Sequence, residues 1–279
     1  MKKIYFAIGL VGGAGMLASG PAQALNYFEL EVYPYQTASR GEVELENFTA
    51  YTRRGTQDAP VPENNQGLVR NSMEVTYGVT DKTEVAGYVD YSRARGDGDW
   101  DLNGSRAHVR TRFAEKGEWP VDLGLYAEAE FPHHDENDLE FELRGIIEKD
   151  VDKWTFDVNP ILEKTLKGVE KAEGTELHYA AGAIYRLNEH WHPRLDFFGD
   201  FGPLRNFEDR DEQTHLISPA VDILFGHGLS ASLGVAFGQT QASEQQIVRA
   251  RVELEFWSRY DRSADDRPND FTEQELKGS

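Results

Sequence analysis

From residue 41 onward, hydrophobic and polar residues alternate along most of the chain. In the clearest stretch, residues 121–131, one face carries Val, Leu, Ala and Phe, whereas the other carries Asp, Gly, Tyr and Glu. A period of two places alternate side chains on opposite faces of a β-strand, and very little of the sequence shows the period of a helix. The pattern therefore predicts an all-β protein.

The alternation divides into twelve segments, each at least as long as the roughly 9–11 residues that a tilted strand needs to cross a bilayer. They cover residues 42–51, 68–77, 83–93, 105–114, 121–131, 138–149, 154–164, 175–187, 193–202, 214–225, 229–238 and 246–257. Residues 27–35 are strand-like but less regular. The predicted fold is a transmembrane antiparallel β-barrel of about twelve strands, formed by residues 41–257.

Loop lengths and aromatic positions separate this fold from a soluble β-sandwich. Short connections, such as 78–82 and 226–228, alternate with longer polar ones, such as 53–67 and 203–213. Outer-membrane barrels have short periplasmic turns, long extracellular loops and aromatic girdles at both interfaces. Four tryptophans lie at short-connection ends and three phenylalanines would mark the opposite girdle: Trp119, Trp154, Trp191 and Trp257, and Phe131, Phe201 and Phe237.

The start of the chain has the features of a secretory signal peptide. Lys2 and Lys3 precede a short apolar stretch, and Ala22-Gln23-Ala24 supplies a cleavage site, so residues 1–24 would be removed and the mature chain would begin at Leu25. No stretch of 18 apolar residues follows. These features predict the outer membrane of a Gram-negative bacterium. Residues 25–40 would be periplasmic or an extra strand, and residues 258–279 a polar periplasmic tail.

Composition narrows the class of partners. The chain has a net charge of -20 and no cysteine, so nucleic acid is excluded as a partner and disulfides do not stabilise the fold. The expected partners are outer-membrane lipid, lipopolysaccharide, the barrel-assembly machinery and, in one alternative, a periplasmic protein.

Three segments resemble a known family. Tyr77-Gly-Val-Thr-Asp-Lys-Thr-Glu-Val85 looks like a strand-joining turn of the transporter-like outer-membrane barrels associated with the meta-pathway of phenol degradation. Tyr185-Arg-Leu-Asn-Glu-His-Trp191 is similar to a degraded second copy, and Gly41-Glu-Val-Glu-Leu-Glu46 suits that family's first strand. The resemblance spans most of residues 41–257 and implies a channel or transport function, with no catalytic residues.

A closed barrel turns its apolar faces to lipid, so the polar faces should line the interior. The strongest pattern is a basic row on strand 105–114, beside an acidic neighbouring strand. The candidate lumen and selectivity residues are Arg106, His108, Arg110, Arg112, Asp122, Glu128, Glu130, Glu140, Glu142, Arg144, Arg249, Arg251, Glu253 and Glu255. The wider inward set adds Arg70, Glu74, Glu84, Asp90, Glu148, Asp157, Glu163, Glu176, Arg186, Arg194, Asp196, Asp200 and Asp222.

These charges have two interpretations. They form either a selectivity lining or a salt-bridge network that fills a barrel of intermediate width. The excess of acids predicts that an open passage would prefer cations or neutral solutes. The first functional hypothesis is therefore a channel for small solutes, and the alternative is a closed structural or adaptor barrel that works with a periplasmic partner.

A hydrolase is the third hypothesis, and no catalytic residue, cofactor or metal is predicted. Residues 132–136 carry two histidines and two acids that could pair with Asp209 or Asp211, but serines are few on the strands. Ser218 follows His215 by three residues, an odd spacing that puts the two on opposite strand faces. His190 and His192 have no evident third metal ligand. Residues 99–104 match the start of a calcium loop, whose twelfth position, normally glutamate, is Arg110.

Overall fold

The computed structural model describes residues 26–56, 65–96, 98–133, 139–168, 171 and 174–256. The strands are Val43–Arg54 (β1), Val69–Thr80 (β2), Thr83–Arg93 (β3), Asp101–Arg112 (β4), Asp122–Pro132 (β5), Leu139–Val151 (β6), Trp154–Lys167 (β7), Glu176–Tyr185 (β8), Trp191–Pro203 (β9), Thr214–Gly226 (β10), Leu229–Gly238 (β11) and Gln246–Phe256 (β12). Each pairs with its sequence neighbours, and β1 pairs antiparallel with β12, which closes the barrel. The predicted twelve-stranded antiparallel barrel is confirmed.

Two strands begin earlier than their sequence pattern predicts. β4 begins at Asp101, because Leu102 and Asp101 pair with Tyr91 and Ser92 of β3 beyond a register shift. The segment that matches the start of a calcium loop therefore lies mainly in a strand. β9 begins at Trp191, which pairs with Ile223 of β10. In both cases pairing with a neighbouring strand extends the element past its local pattern.

The two faces of the barrel wall differ in polarity as predicted. Outward side chains such as Leu125, Leu143 and Val158 are 38%, 37% and 47% exposed, although they are large and apolar. Among the described residues, the buried charged groups are fifteen Asp and Glu and six Arg. This distribution is the reverse of that in a soluble protein and fits a wall that faces hydrocarbon outside.

Aromatic side chains mark both rims of this apolar belt. Trp119, Trp154 and Trp191 are exposed at the end of the barrel that carries the short connections, called here the short-turn end. Phe131 and Phe237 are exposed at the opposite, long-loop end. Amphipathic and aromatic rings favour the membrane boundary. The predicted girdles are therefore present at these five positions.

One short connection shows how the turns are made. The β10–β11 hairpin turns at His227 and Gly228, whose φ angles are 56° and 76°. Two central residues with positive φ form the type of turn whose twist matches that of paired strands. At Gly228 a Cβ atom would lie 2.8 Å from the Glu255 carbonyl oxygen, so a larger residue does not fit.

Residues 26–42, called here the luminal segment, run through the inside of the barrel. The segment forms no strand. Glu42 stands at the short-turn end beside β2, and Tyr27 lies under Arg70 towards the long-loop end. Its buried side chains include Tyr27, Glu29, Leu30, Glu31, Val32, Tyr33, Tyr35, Thr37 and Ala38. The sequence predicts a periplasmic segment or an extra strand here, and the observed position differs from both. The sequence of the segment could not show an interior position, because only a closed barrel provides an interior for it to enter.

Several sequence predictions fall outside the described residues. These are the signal peptide at residues 1–24, the mature start at Leu25, the girdle position Trp257, the loop residues His134, Asp135 and Glu136, and the tail at residues 258–279. Within the part of the chain that the structure describes, no helix is long and apolar enough to cross a membrane.

Candidate solute pathway

Side chains of the barrel wall hold the backbone of the luminal segment. Asn159 on β7 accepts a hydrogen bond from the Tyr33 amide at 2.8 Å and donates one to the Tyr33 carbonyl at 3.2 Å. Glu148 accepts from the Tyr35 amide at 2.8 Å, and Glu84 accepts from the Ala38 amide. Buried backbone groups need such partners. The wall therefore replaces the strand pairing that the segment lacks.

Arg106 is the centre of the first ion network. Its guanidinium contacts Glu29 of the luminal segment at 2.7 Å, Asp90 at 2.9 Å and Glu128 at 3.4 Å. It also lies 4.1 Å from the centre of the Tyr88 ring. A buried charge is stable only where it is paired and hydrogen-bonded. Because one partner comes from the luminal segment, this network joins the segment to β3, β4 and β5.

A second ion network lies across the lumen, on β9, β10 and β12. Arg194 contacts Asp196 at 3.0 Å and Asp222 at 3.2 Å, and Asp196 also binds Arg249. Arg249 donates to the Leu30 carbonyl of the luminal segment at 2.6 Å. Glu31 of the segment lies 3.7 Å from Arg194 and 3.6 Å from Arg251. The segment is thus bound to two opposite parts of the wall.

Inward apolar side chains of the barrel also contact the luminal segment. One cluster joins three residues of the segment to one residue on each of seven strands: Tyr27, Leu30 and Val32 with Ala50, Ile161, Ala180, Phe198, Leu216, Ala236 and Ile247. A second joins Tyr33 and Tyr35 to Tyr126 and Ile146. The sequence interpretation expected a polar inner face and missed these residues. For the strand residues the signal was available, since each is an apolar residue at an inward position of the alternating pattern.

The basic row on β4 changes partners along its length. Arg106, His108 and Arg110 are buried, and Arg110 pairs with Glu84 at 2.5 Å. Arg112 instead lies at the short-turn rim, where it donates to the Asp81 carbonyl at 2.8 Å and pairs with Glu115. Ala114, two residues further on, is still buried and donates to the Tyr35 hydroxyl of the luminal segment, so this face of the chain stays inward past Arg112. The predicted role of the row in selectivity stays a prediction.

The other predicted lumen residues face inward. Asp122, Glu128, Arg144 and Arg249 are buried, and Glu130, Glu140, Glu142, Arg251, Glu253 and Glu255 are intermediate in exposure. Arg144 pairs with Glu142 at 2.8 Å, and Arg251 contacts Glu46 at 3.4 Å and Glu253 at 3.5 Å. Their predicted role in selectivity stays a prediction. The sequence did not single out Glu29, Glu31, Asn159, His178 or Glu244.

A row of carboxylates crosses one wall in the long-loop half of the lumen. Strand register places Glu128 opposite Glu142, Glu142 opposite Glu163, and Glu163 opposite Glu176. We call these four residues the carboxylate row. Directly opposed residues have Cβ atoms roughly 4.5–5.5 Å apart, so like charges there repel. Among the described residues, no arginine or lysine forms an ion pair with Glu163 or Glu176.

At the short-turn rim, Gly78 near the end of β2 lies against the luminal segment. A Cβ atom at this position would lie 1.8 Å from the Ser39 carbonyl oxygen. Gly41 also donates its amide to the Gly78 carbonyl at 2.7 Å. A glycine fits at position 78 because the luminal segment enters the lumen past it.

Lys116 forms an ion pair at the same rim, with Glu148 at 2.7 Å. Burial disfavours the charge of Lys116, but Glu148 and Asp150 raise the pKa of Lys116.

Groups considered for catalysis or metal binding are spread apart. Ser218 accepts from Arg249 inside the barrel, whereas His215 faces Tyr179 on the other face, as their odd spacing predicts. His190 and His192 each contact a backbone carbonyl in the turn region, at 3.0 Å. These arrangements are structural contacts of the wall and its turns.

The closed twelve-stranded wall, its apolar exterior and its charged interior define a transmembrane β-barrel of the outer-membrane type. The structure is similar to an outer membrane channel from Pseudomonas putida F1, with a TM-score of 0.60 and 12% identity over 81% of this chain and 100% of that chain. It is also similar to the KdgM porin (TM-score 0.50, 8% identity, 77% and 99% covered). The NanC porin is comparable (TM-score 0.50, 6% identity, 77% and 100% covered).

At these identities the likeness concerns the fold. No protein-family model matches the sequence, and no curated protein matches it.

Proposed function

We propose that this protein is an outer-membrane channel for small solutes, and that the luminal segment closes the channel in the conformation described here. The observation that carries the proposal is the way the segment is held. Side chains and ion pairs hold it, with no strand pairing, so it can leave without breaking the barrel. The resemblance to barrels associated with the meta-pathway of phenol degradation also supports a transport role.

The charge of the interior favours particular solutes. Outside the luminal segment, buried acids outnumber buried arginines by twelve to six among the described residues. A lining with excess negative charge attracts cations and repels anions. We therefore expect cations and small polar neutral solutes to pass more readily than anions or hydrocarbons once the segment has left.

The decisive experiment is a planar-bilayer conductance measurement of the full chain and of a variant that lacks residues 26–38. The deletion keeps the rim contacts of Gly41 and Glu42. We expect small or intermittent currents from the full chain and a steady, cation-selective current from the deletion variant. Glu115→Gln, an exposed change at the short-turn rim, is the matched control and should behave like the full chain.

Two outcomes would contradict parts of this proposal. If the deletion variant folds, as shown by its heat-dependent gel mobility, but carries no current, the barrel is closed by its own wall and the adaptor alternative is favoured. If the full chain conducts steadily and the deletion changes nothing, the channel function stands but the closing role of the segment is wrong.

The orientation in the membrane has its own test. Because long loops of outer-membrane barrels face outward, we propose that the long-loop end is extracellular. A peptide tag inserted at Glu208 should be reached by antibody on intact cells, whereas a tag at Asp81 should require permeabilised cells. The reverse result would invert the topology.

A further inference from the structure

One nitrogen of a buried histidine inside the barrel has no hydrogen-bond partner among the described residues. The side chain of His178 is 2% exposed, and its Nε2 atom makes no hydrogen bond in the described structure. Buried polar atoms are almost always paired, so an unpaired imidazole nitrogen requires an explanation. The atom points to two carboxylates, those of Glu176 at 3.6 Å and Asp200 at 3.9 Å.

Strand register brings these three residues together. His178 on β8 pairs directly with Asp200 on β9, and Glu176 precedes His178 by two residues, so it lies on the same face. All three are buried. One ligand atom of each lies within 4.8 Å of the other two. The arrangement depends on the strands of the wall, which are more rigid than loops.

We propose that Glu176, His178 and Asp200 form a binding site for a divalent transition-metal ion of the Zn²⁺ type at the long-loop end of the lumen. Ligands of tetrahedral Zn²⁺, at bond lengths of about 2.0–2.1 Å, stand roughly 3.3 Å apart. The observed separations need only small side-chain rotations to reach that value. An imidazole with two carboxylates suits zinc better than calcium or magnesium, which prefer oxygen ligands.

The surroundings favour a cation and orient one of the ligands. The Gly202 amide donates to Asp200 Oδ1 at 2.7 Å, an outer contact of the kind that fixes a metal-binding carboxylate. Glu163 lies opposite Glu176, and neither carboxylate pairs with an arginine or lysine of the described chain. Three protein ligands leave the fourth position of a tetrahedral ion open to water or a solute.

The test measures Zn²⁺ binding by the full protein, purified in detergent with a tag that contains no histidine, in competition with a chromophoric chelator. We expect one tight Zn²⁺ per barrel. His178→Ala should weaken binding by more than the roughly 10- to 100-fold that loss of an outer-shell partner costs. Co²⁺ should also give the visible absorption of a tetrahedral site, and the substitution should abolish it.

Matched variants distinguish ligation from general attraction. His190→Ala removes an exposed histidine of the opposite end, and Glu163→Gln removes a neighbouring charge but no ligand; both should retain the Co²⁺ spectrum. Asp200→Asn keeps the side-chain shape and should weaken binding, so it decides the matter if His178→Ala does not fold. Absence of a stoichiometric Zn²⁺, or equal binding by His178→Ala and the unchanged protein, would overturn the proposal.

Discussion

The ion network around Arg106, called here the centre, and one end of the carboxylate row, Glu163 and Glu176, place their carboxylates in opposite electrostatic surroundings. At the centre, Arg106 pairs with Glu29, Asp90 and Glu128 within 3.4 Å. In the carboxylate row, Glu163 and Glu176 stand opposite each other without such a cation among the described residues. Paired charges hold a structure together, whereas opposed like charges weaken it. The centre therefore retains the luminal segment, whereas this end of the row leaves negative charge beside the proposed metal site of Glu176, His178 and Asp200.

The largest effect should come from the central network. Arg106→Met removes the cation from three buried carboxylates, which should cost about 3–5 kcal/mol of the free energy of unfolding. Urea unfolding in detergent, followed by tryptophan fluorescence, measures the change. Arg112→Met, at the rim, is the control and should cost less than about 1 kcal/mol. Similar losses for both would show that the centre is no more dependent on charge pairing than the rim.

A smaller effect should follow from a change at Asn159, which contacts the Tyr33 amide and carbonyl. Asn159→Leu leaves both backbone groups unpaired, which should cost about 1–3 kcal/mol of the free energy of unfolding. Hydrogen exchange at the Tyr33 amide should become faster while exchange in the strands stays unchanged. Asn159→Asp keeps the acceptor and should have an intermediate effect. Unchanged exchange in Asn159→Leu would mean that other contacts retain the segment.

The smallest effect, and one of opposite sign, is expected in the carboxylate row. Glu163→Gln removes like-charge repulsion across two strand pairs and should stabilise the barrel by about 0.2–1 kcal/mol. Glu128→Gln, in the same row but paired with Arg106, should instead destabilise it. The urea midpoints of the two variants measure the difference. Destabilisation by both would remove the contrast between row and centre.

The contacts between charged residues in the lumen were harder to predict than the strands of the wall, and the basic row of β4 shows why. Alternation correctly assigned Arg106, His108 and Arg110 to the interior, because the direction of a side chain follows from its position in the strand. Alternation could not show that Arg112 contacts Asp81 and Glu115 of the neighbouring turns, since those contacts depend on where β4 ends. Nor could it show that a partner of Arg106 is Glu29, which is remote in sequence and lies on no strand.

The sequence by itself determined the number of strands, the face that each side chain takes and the alternation of short and long connections. These properties are local, because each strand displays its own period of two. Only the tertiary structure decided what fills the lumen and which charges meet. The luminal segment requires a closed barrel to enter, and the carboxylate row and the Glu176, His178 and Asp200 cluster require the register between neighbouring strands, which no single strand specifies.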